Sequence, residues 1–350
     1  MSNARATHLT RRGILAAGGA VGLGAVLAAC GDDDAKDGGS AGKETAAAKS
    51  GPWTFKDDRG QTVKADKVPA NIVAFIGVAA ALHDYGVEAK GVFGPTTTKD
   101  GKPDVQAGDL DVTKVTNLGN EWGQFNIEKY AALAPDALLS TMFDNTGTLW
   151  YVPEESKKKI EAVGAPSVGI SVYDRQLTQP LQRMVELAKS LGGDVTSAKF
   201  TQAKKRFEDA AARLRAAAKA KPDIKVLAGS ASQDLFYVSG TDLSIDLEYF
   251  KSLGVNFVEP PESAKKQGGG WFESLSWENV DKYPADIIMM DNRTQAIQPA
   301  DITEGTWKKL PAVEAGQVIA RNPEPILSYD KCAPLLEALA EALEKAKKVS

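Results

Sequence analysis

Groups that carry out bond chemistry are scarce in this chain. It holds two histidines and two cysteines among 350 residues. His8 lies in a polar stretch near the start, and His83 sits inside a helical pattern, Ala80-Ala81-Leu82-His83-Asp84. With no histidine pair and no usable cysteine pair, ligation of zinc or haem by protein groups is not indicated. No Gly-x-Ser-x-Gly turn is present to expose a nucleophilic serine, and no Gly-x-x-x-x-Gly-Lys loop to cradle a phosphate. Gly268-Gly269-Gly270 opens no helix and reads as a flexible loop. The sequence asks for no enzyme, no cofactor and no resident metal.

It offers instead aromatic and arginine residues placed after strand-like segments. Trp122 follows residues 115–119, and Phe143, Trp150 and Tyr151 follow a strand ending at Thr141. Tyr173 and Arg175 follow residues 166–172, and Tyr237 lies beyond a strand ending at Gly229. Trp271 and Phe272 follow the glycine loop, Asn292 and Arg293 follow a strand ending at Asp291, and Tyr329 precedes the last helical segment. Ligands of open α/β sheets bind beyond the carboxyl ends of the strands. Aromatic faces supply apolar area there, and arginine supplies a fixed fork of donors for ligand oxygens. Any one of these residues could equally serve in core packing. Their recurrence in both halves of the chain points to a cleft.

The elements that must position them alternate. Strand patterns at 71–76, 90–93 and 136–141 are interleaved with helical ones at 78–85 and 127–133. Two long helical patterns follow, 177–191 and 195–219, broken at Gly192-Gly193 and closed by Pro222. The alternation then resumes through 225–229, 243–253, 256–258, 277–283 and 286–290, and ends in a helix over 333–347. Such alternation implies α/β layers with largely parallel sheets. The two halves also share an order of parts: a helix, Gly-Val, a strand, a loop, a helix bearing Glu128 or Glu278, then Pro135-Asp136 or Pro284-Ala285-Asp286 leading into a strand. Two pseudo-equivalent lobes are therefore expected.

The first residues read as an address and not as fold. Arg11 and Arg12 precede a 16-residue apolar stretch, 14–29, interrupted by four glycines and followed by Cys30. That is shorter than the roughly 20 residues a spanning helix needs and has the order of a signal peptide. Thr10-Arg11-Arg12-Gly13-Ile14-Leu15 resembles the twin-arginine export motif, with Ile14 where Phe is more usual. Leu27-Ala28-Ala29-Cys30 resembles a lipobox, which implies lipid on Cys30 after cleavage. Cys332 is then left without a partner, and it reads as a small buried residue. Residues 31–51, rich in Asp, Lys, Gly, Ser and Ala, form a tether. Removing 1–29 leaves 39 basic against 46 acidic side chains, a net charge of −7 that argues against a nucleic-acid partner.

Four segments carry a family likeness: Val68-Pro69-Ala70-Asn71-Ile72-Val73, Leu133-Ala134-Pro135-Asp136-Ala137-Leu138-Leu139, Tyr283-Pro284-Ala285-Asp286-Ile287-Ile288 and Leu310-Pro311-Ala312-Val313-Glu314-Ala315-Gly316-Gln317-Val318. In this order behind a lipobox, they resemble the siderophore and cobalamin group of ABC-importer binding proteins, and most of all the iron–siderophore lipoproteins of high-GC Gram-positive bacteria. The resemblance implies two lobes, at 53–176 and 193–350, joined by a long rigid helix at 177–192. It implies capture of a ferric siderophore whose iron is already chelated, by a monomer lipid-anchored at the outer face of the cytoplasmic membrane. Glu128 and Glu278 would dock on an ABC permease. Arg183, Arg206, Arg213 and Arg215 fall on helical stretches, which leaves Arg175, Arg293 and Arg321 near the cleft. So few cations favour a hydroxamate complex over a catecholate, and over cobalamin or haem. A docking or sensor lipoprotein without ligand is the alternative of another class.

Overall fold

The computed structural model describes residues 51–350. The signal-like segment, Cys30 and most of the tether lie outside the described residues. A hairpin comes first, β1 (Trp53–Lys56) antiparallel to β2 (Thr62–Ala65). The N-lobe follows: β3 (Ile72–Phe75), α1 (Ile76–Asp84), β4 (Gly91–Phe93), β5 (Thr116–Asn117), α2 (Ile127–Ala132), β6 (Ala137–Met142), α3 (Lys157–Ala162), β7 (Ser167–Ser171) and α4 (Thr178–Ser190). Its sheet is parallel throughout, in the order β5-β4-β3-β6-β7. β3 and β6 are buried along their whole length, as central parallel strands covered on both faces must be.

After α5 (Ala198–Ala220) the C-lobe contains β8 (Val226–Ala231), β9 (Leu235–Ser239), α6 (Ile245–Ser252), α7 (Glu262–Lys265), β10 (Phe272–Ser276), β11 (Ile287–Asp291), α8 (Gly305–Lys308), α9 (Pro311–Glu314), β12 (Val318–Arg321) and α10 (Tyr329–Lys345). Its sheet runs β10-β9-β8-β11-β12, with β8, β11 and β12 parallel and β9 and β10 antiparallel to their neighbours. Strand for strand this is the N-lobe order. The shared Pro and Asp do the same work in both lobes. Asp136 accepts the backbone N–H groups of Ala70 and Asn71 ahead of β3, at 3.0 and 2.9 Å. Asp286 accepts that of Lys225 ahead of β8 at 2.8 Å. Each carboxylate thus ties the start of one central strand to its neighbour.

The bridge differs from the sequence reading. The pattern at 177–191 does form a helix, α4, but it packs on β1, β7 and α1 and belongs to the N-lobe. The helix that runs between lobes is α5, whose 23 residues span about 34 Å at 1.5 Å per residue. At its start Phe200 packs on Tyr85 of the N-lobe, and farther along Phe207 stacks on Tyr249 of α6. The small residues of α5 that face inward, Ala210, Ala211, Ala217 and Ala218, let it lie close against its partners. Its main partner is α10, clamped by bidentate pairs Arg206–Glu337 and Arg213–Glu344, each with contacts of 2.8 and 2.6 Å. A single cluster of buried apolar residues runs from Trp53 and α1 through α4 and α5 to β8 and α10. The lobes therefore share a core, which opposes any wide swing between them.

Three smaller expectations are corrected. Residues 256–258 contribute one parallel bridge, Val226 to Phe257, and no full strand, because β9 occupies that side of β8. Residues 277–283 make a 3-10 turn, Trp277–Lys282. The last helix begins at Tyr329, capped by Ser328, four residues ahead of the sequence reading. Pro334 lies in its second turn, where only one intrahelical bond is lost.

Candidate functional site

Beyond the carboxyl ends of the central strands, the lobes enclose a cavity of about 550 Å³. The N-lobe supplies its aromatic wall. The loop after β6 folds back on that strand, with Trp150 N–H donating to the Thr141 carbonyl at 2.8 Å and Ser140 Oγ to the Trp150 carbonyl at 2.8 Å. This return sets Trp150 on Phe143 at a ring distance of 4.6 Å. Trp122, 61% exposed, leans on Trp150 at 4.7 Å and on Tyr151 at 5.1 Å. Its own loop doubles back so tightly that a Cβ at Gly119 would overlap the Gln124 carbonyl. Tyr151 holds a left-handed backbone, φ +60°, unusual for a bulky residue, and stacks on Phe75 at 5.5 Å. Burial, with the Glu324 charge nearby, pushes its hydroxyl up to about 12, so it remains protonated.

Charge comes from the C-lobe. Arg293 donates to Asp291 from Nε at 3.0 Å and from Nη2 at 2.7 Å, and to Glu324 from Nη1. Burial opposes its positive charge, but these carboxylates more than offset that, so its pKa lies above the ordinary arginine value. Arg321 is 4% exposed and donates to Asp246 at 2.7 and 2.8 Å and to Ser239 at 3.2 Å. Both arginines are therefore neutralised by the protein before any ligand arrives. Trp271 reaches across from the C-lobe to Phe143 at 6.0 Å and Tyr173 at 6.4 Å. The loop before it is tied down, with Gly270 N–H donating to Lys265 at 3.0 Å and Gly240 N–H to Trp271 at 2.8 Å. The flexible loop expected at 268–270 is thus a positioned turn, and Gly270 supplies the φ of +90° it requires.

Of the residues singled out in the sequence, Phe143, Trp150, Tyr237, Trp271, Phe272, Arg293 and Arg321 line this cavity. Trp122, Tyr151 and Tyr173 stand behind or beside them through ring contacts. Tyr237 is a strand residue of β9 and not a loop residue, with its hydroxyl 3.2 Å from Ser232. Arg175 lines two neighbouring grooves with Asp174, and its buried Nε has no partner among the described residues. Expected near the cleft, it is not in the lining of this cavity. Asn292 is not in the lining, and its Oδ1 is buried without a partner among the described residues. Tyr329 is displaced furthest from the expectation: it is 8% exposed and packed between Phe200 and Phe207 in the shared core. The sequence reading missed Asp144, Ser230, Ser239, Ser244, Asp291, Pro323 and Glu324 as lining residues. The strand-end rule could have found Glu324, three residues past β12, but that strand was not recognised. Arg321, expected on a loop, is the buried last residue of β12.

Glu128 and Glu278 are both exposed at helix starts. Asn126 caps α2 by accepting from Lys129 N–H at 2.8 Å, whereas Ser276 makes no such cap bond. No helix of the described residues is long and apolar enough to cross a membrane.

A two-lobed α/β body with a helical bridge, a shared core and a cavity between its strand ends is a receptor for a solute. Comparison bears this out: residues 74–325 match the family model described as periplasmic binding protein. The chain belongs to that family, and it is a binding protein, not an enzyme. It is similar, at 78% identity over 85% of its length and all of the other chain with a TM-score of 0.84, to DesE, a ferric-siderophore receptor protein from Streptomyces coelicolor. The fold is shared with the siderophore periplasmic binding protein from the fuscachelin gene cluster of Thermobifida fusca, at 22% identity, covering 79% of this chain and 96% of that one, TM-score 0.57. It is shared too with FhuD2 from Staphylococcus aureus, solved with bound ferrioxamine B, at 21% identity, covering 79% and 98%, TM-score 0.52. A search of curated proteins gives no match.

Proposed function

We propose that the protein captures a ferric siderophore of the hydroxamate type outside the cytoplasmic membrane and delivers it to an ABC permease. The observation that carries the reading is an aromatic-walled cavity whose two arginines are already bonded to Asp291, Glu324 and Asp246. A ferric catecholate is strongly anionic and calls for cations that the protein has not already neutralised. A hydroxamate complex, neutral or weakly cationic, fits a wall of rings with a few polar groups. The similarity to a ferric-siderophore receptor supports the class of ligand. The carboxylates bonded to arginines leave iron to its chelator, so the protein grips the outer shell of the complex. A fluorescence titration tests this, since a ferric chelate against Trp122, Trp150 and Trp271 quenches their emission. Linear and ring-closed ferric tris-hydroxamates should bind at micromolar concentration or below, and a ferric tris-catecholate at least tenfold more weakly. Binding of neither hydroxamate, or a preference for the catecholate, sinks the proposal.

The permease contact falls to Glu128 and Glu278, one exposed carboxylate in corresponding places of the two lobes. Export and lipid attachment rest on the Arg11-Arg12 and Leu27-Ala28-Ala29-Cys30 motifs. Cys30→Ala should shift the protein from the detergent-extracted membrane fraction to the medium, or leave it uncut; an anchored, normally cut variant rules lipidation out.

A further inference from the structure

The cavity is joined to the seam between the lobes through one carboxylate. Between β4 and β5 the N-lobe forms a 3-10 turn, Val105–Ala107, capped by Asp104 Oδ1 accepting from Gln106 N–H at 2.9 Å. This turn meets the C-lobe at two points. Asp104, 3% exposed, accepts through Oδ2 from the Thr294 hydroxyl. Gln106, fully buried, donates from Nε2 to Glu324 Oε2 at 2.8 Å. The same oxygen accepts from Trp150 Nε1 at 3.2 Å, and Glu324 Oε1 accepts from Arg293. Glu324, 8% exposed, is thus held by two N-lobe donors and one C-lobe donor.

Two features set this apart from ordinary packing. Gln106 Oε1 is buried with no partner among the described residues. An apolar side chain of the same size would fill the space without stranding an acceptor, so the amide contributes its donor. Of the three donors on Glu324, Trp150 and Arg293 line the cavity and Gln106 does not. Charge-assisted bonds in so buried a place are short-ranged and directional, and they hold position better than apolar contact.

We propose that Glu324 and the Asp104–Gln106 turn form a clasp that fixes the separation of the lobes at the cavity, with Glu324 as the positioning residue for Trp150 and Arg293. The clasp sets the width of the cavity and so its choice between chelates of different shape. This rests on reading the cavity as the chelate site.

The test uses Gln106→Met, which removes one of the two N-lobe donors without touching the cavity, and Thr294→Val, which removes the second tie at an exposed residue. Tryptophan quenching gives the affinities for one linear and one ring-closed ferric tris-hydroxamate, and their ratio decides. A residue that merely stabilises the fold lowers the active fraction and leaves that ratio alone. In folded Gln106→Met the ratio should move threefold or more; a smaller movement overturns the proposal. Should Gln106→Met not fold, Thr294→Val is judged by the same criterion. Should the parent bind neither complex, the proposed ligand fails on its own. The clasp is then judged by hydrogen exchange of ligand-free protein. Amides of 104–107 and 292–294 should exchange at least tenfold faster in Gln106→Met, and unchanged rates overturn it.

Discussion

In the N-lobe the chain passes from α1 into β4 and β5, both parallel to their neighbours, and the loop after β6 carries rings: Phe143, Trp150 and Tyr151. In the C-lobe a hairpin intervenes, β9 and β10 turn antiparallel, and the ends of β11 and β12 carry ions: Asp291, Arg293 and Arg321. One strand order thus supports two walls of opposite chemistry. Topology dictates where a wall can stand. The residues just past the strand ends dictate what it recognises. The C-lobe ions are also more deeply built in than Arg175, the N-lobe arginine of the neighbouring grooves. Arg321 is 4% exposed and paired with a buried carboxylate, whereas Arg175 has no ion partner among the described residues.

The largest expected effect separates these two arginines. Arg321→Met strands Asp246, which is 1% exposed, and should cost about 3–5 kcal/mol of stability in urea unfolding. Arg175→Met should stay within about 0.5 kcal/mol. Equal losses would erase the contrast between the walls. Next, Trp150→Ala removes a central ring and a Glu324 donor at once. It should weaken binding of a linear ferric tris-hydroxamate by about 2 kcal/mol, roughly thirtyfold, in the quenching titration. A loss below threefold would move recognition to the charged wall.

A smaller effect compares the matched aspartates. Burial opposes ionisation of Asp286, but bonds from Lys225, Lys348, Val349 and Ser350 outweigh it and hold its pKa far below the usual carboxylate value. Bonds from Asn71 and Ala70 lower Asp136 as well. A carboxyl depressed on folding adds stability above its unfolded pKa, near 4, and loses it as pH falls through the lower folded value. Asp286→Asn should therefore cost about 1.5–3 kcal/mol at pH 7 and progressively less below about pH 4. Asp136→Asn, with two backbone donors and more solvent, should cost about 1 kcal/mol. Melting curves at pH 7 and pH 3 read both, and a penalty that grows in acid contradicts the assignment. The smallest effect in vitro belongs to Glu128→Ala with Glu278→Ala. Affinity should change less than twofold and stability by about 0.5 kcal/mol or less, while uptake by cells stops. Normal uptake, or a marked loss of ligand binding, defeats the docking role.

Much of this was legible in order and spacing. Alternating apolar runs and turn residues give the α/β class, the two lobes and most helices, because burial on one face writes a period into the chain. The Pro and Asp of each half recur at the same point in the order of parts, so their equivalence can be read before any fold is seen. The motifs on which the proposed export and lipidation rest are likewise statements of sequence. Which of two successive helices bridges the lobes was not legible, since α4 and α5 are both amphipathic and only contact with Tyr85 of the N-lobe at one end and Tyr249 of the C-lobe farther along makes α5 the bridge. β9, β10 and β12 escaped notice because such short strands owe their state to a neighbour's hydrogen bonds more than to propensity. Tyr329 and Arg293 look alike in sequence, each a polar-tipped residue close to an element's end. Long-range contact sends one into the shared core beside Phe200 and the other to the cavity beside Glu324. The pairing of Arg293 with Glu324 and of Arg321 with Asp246, and of Glu324 with Gln106 across the seam, joins residues far apart in the chain. Ion pairing and burial at that range depend on distances in space, and these the tertiary structure alone supplies.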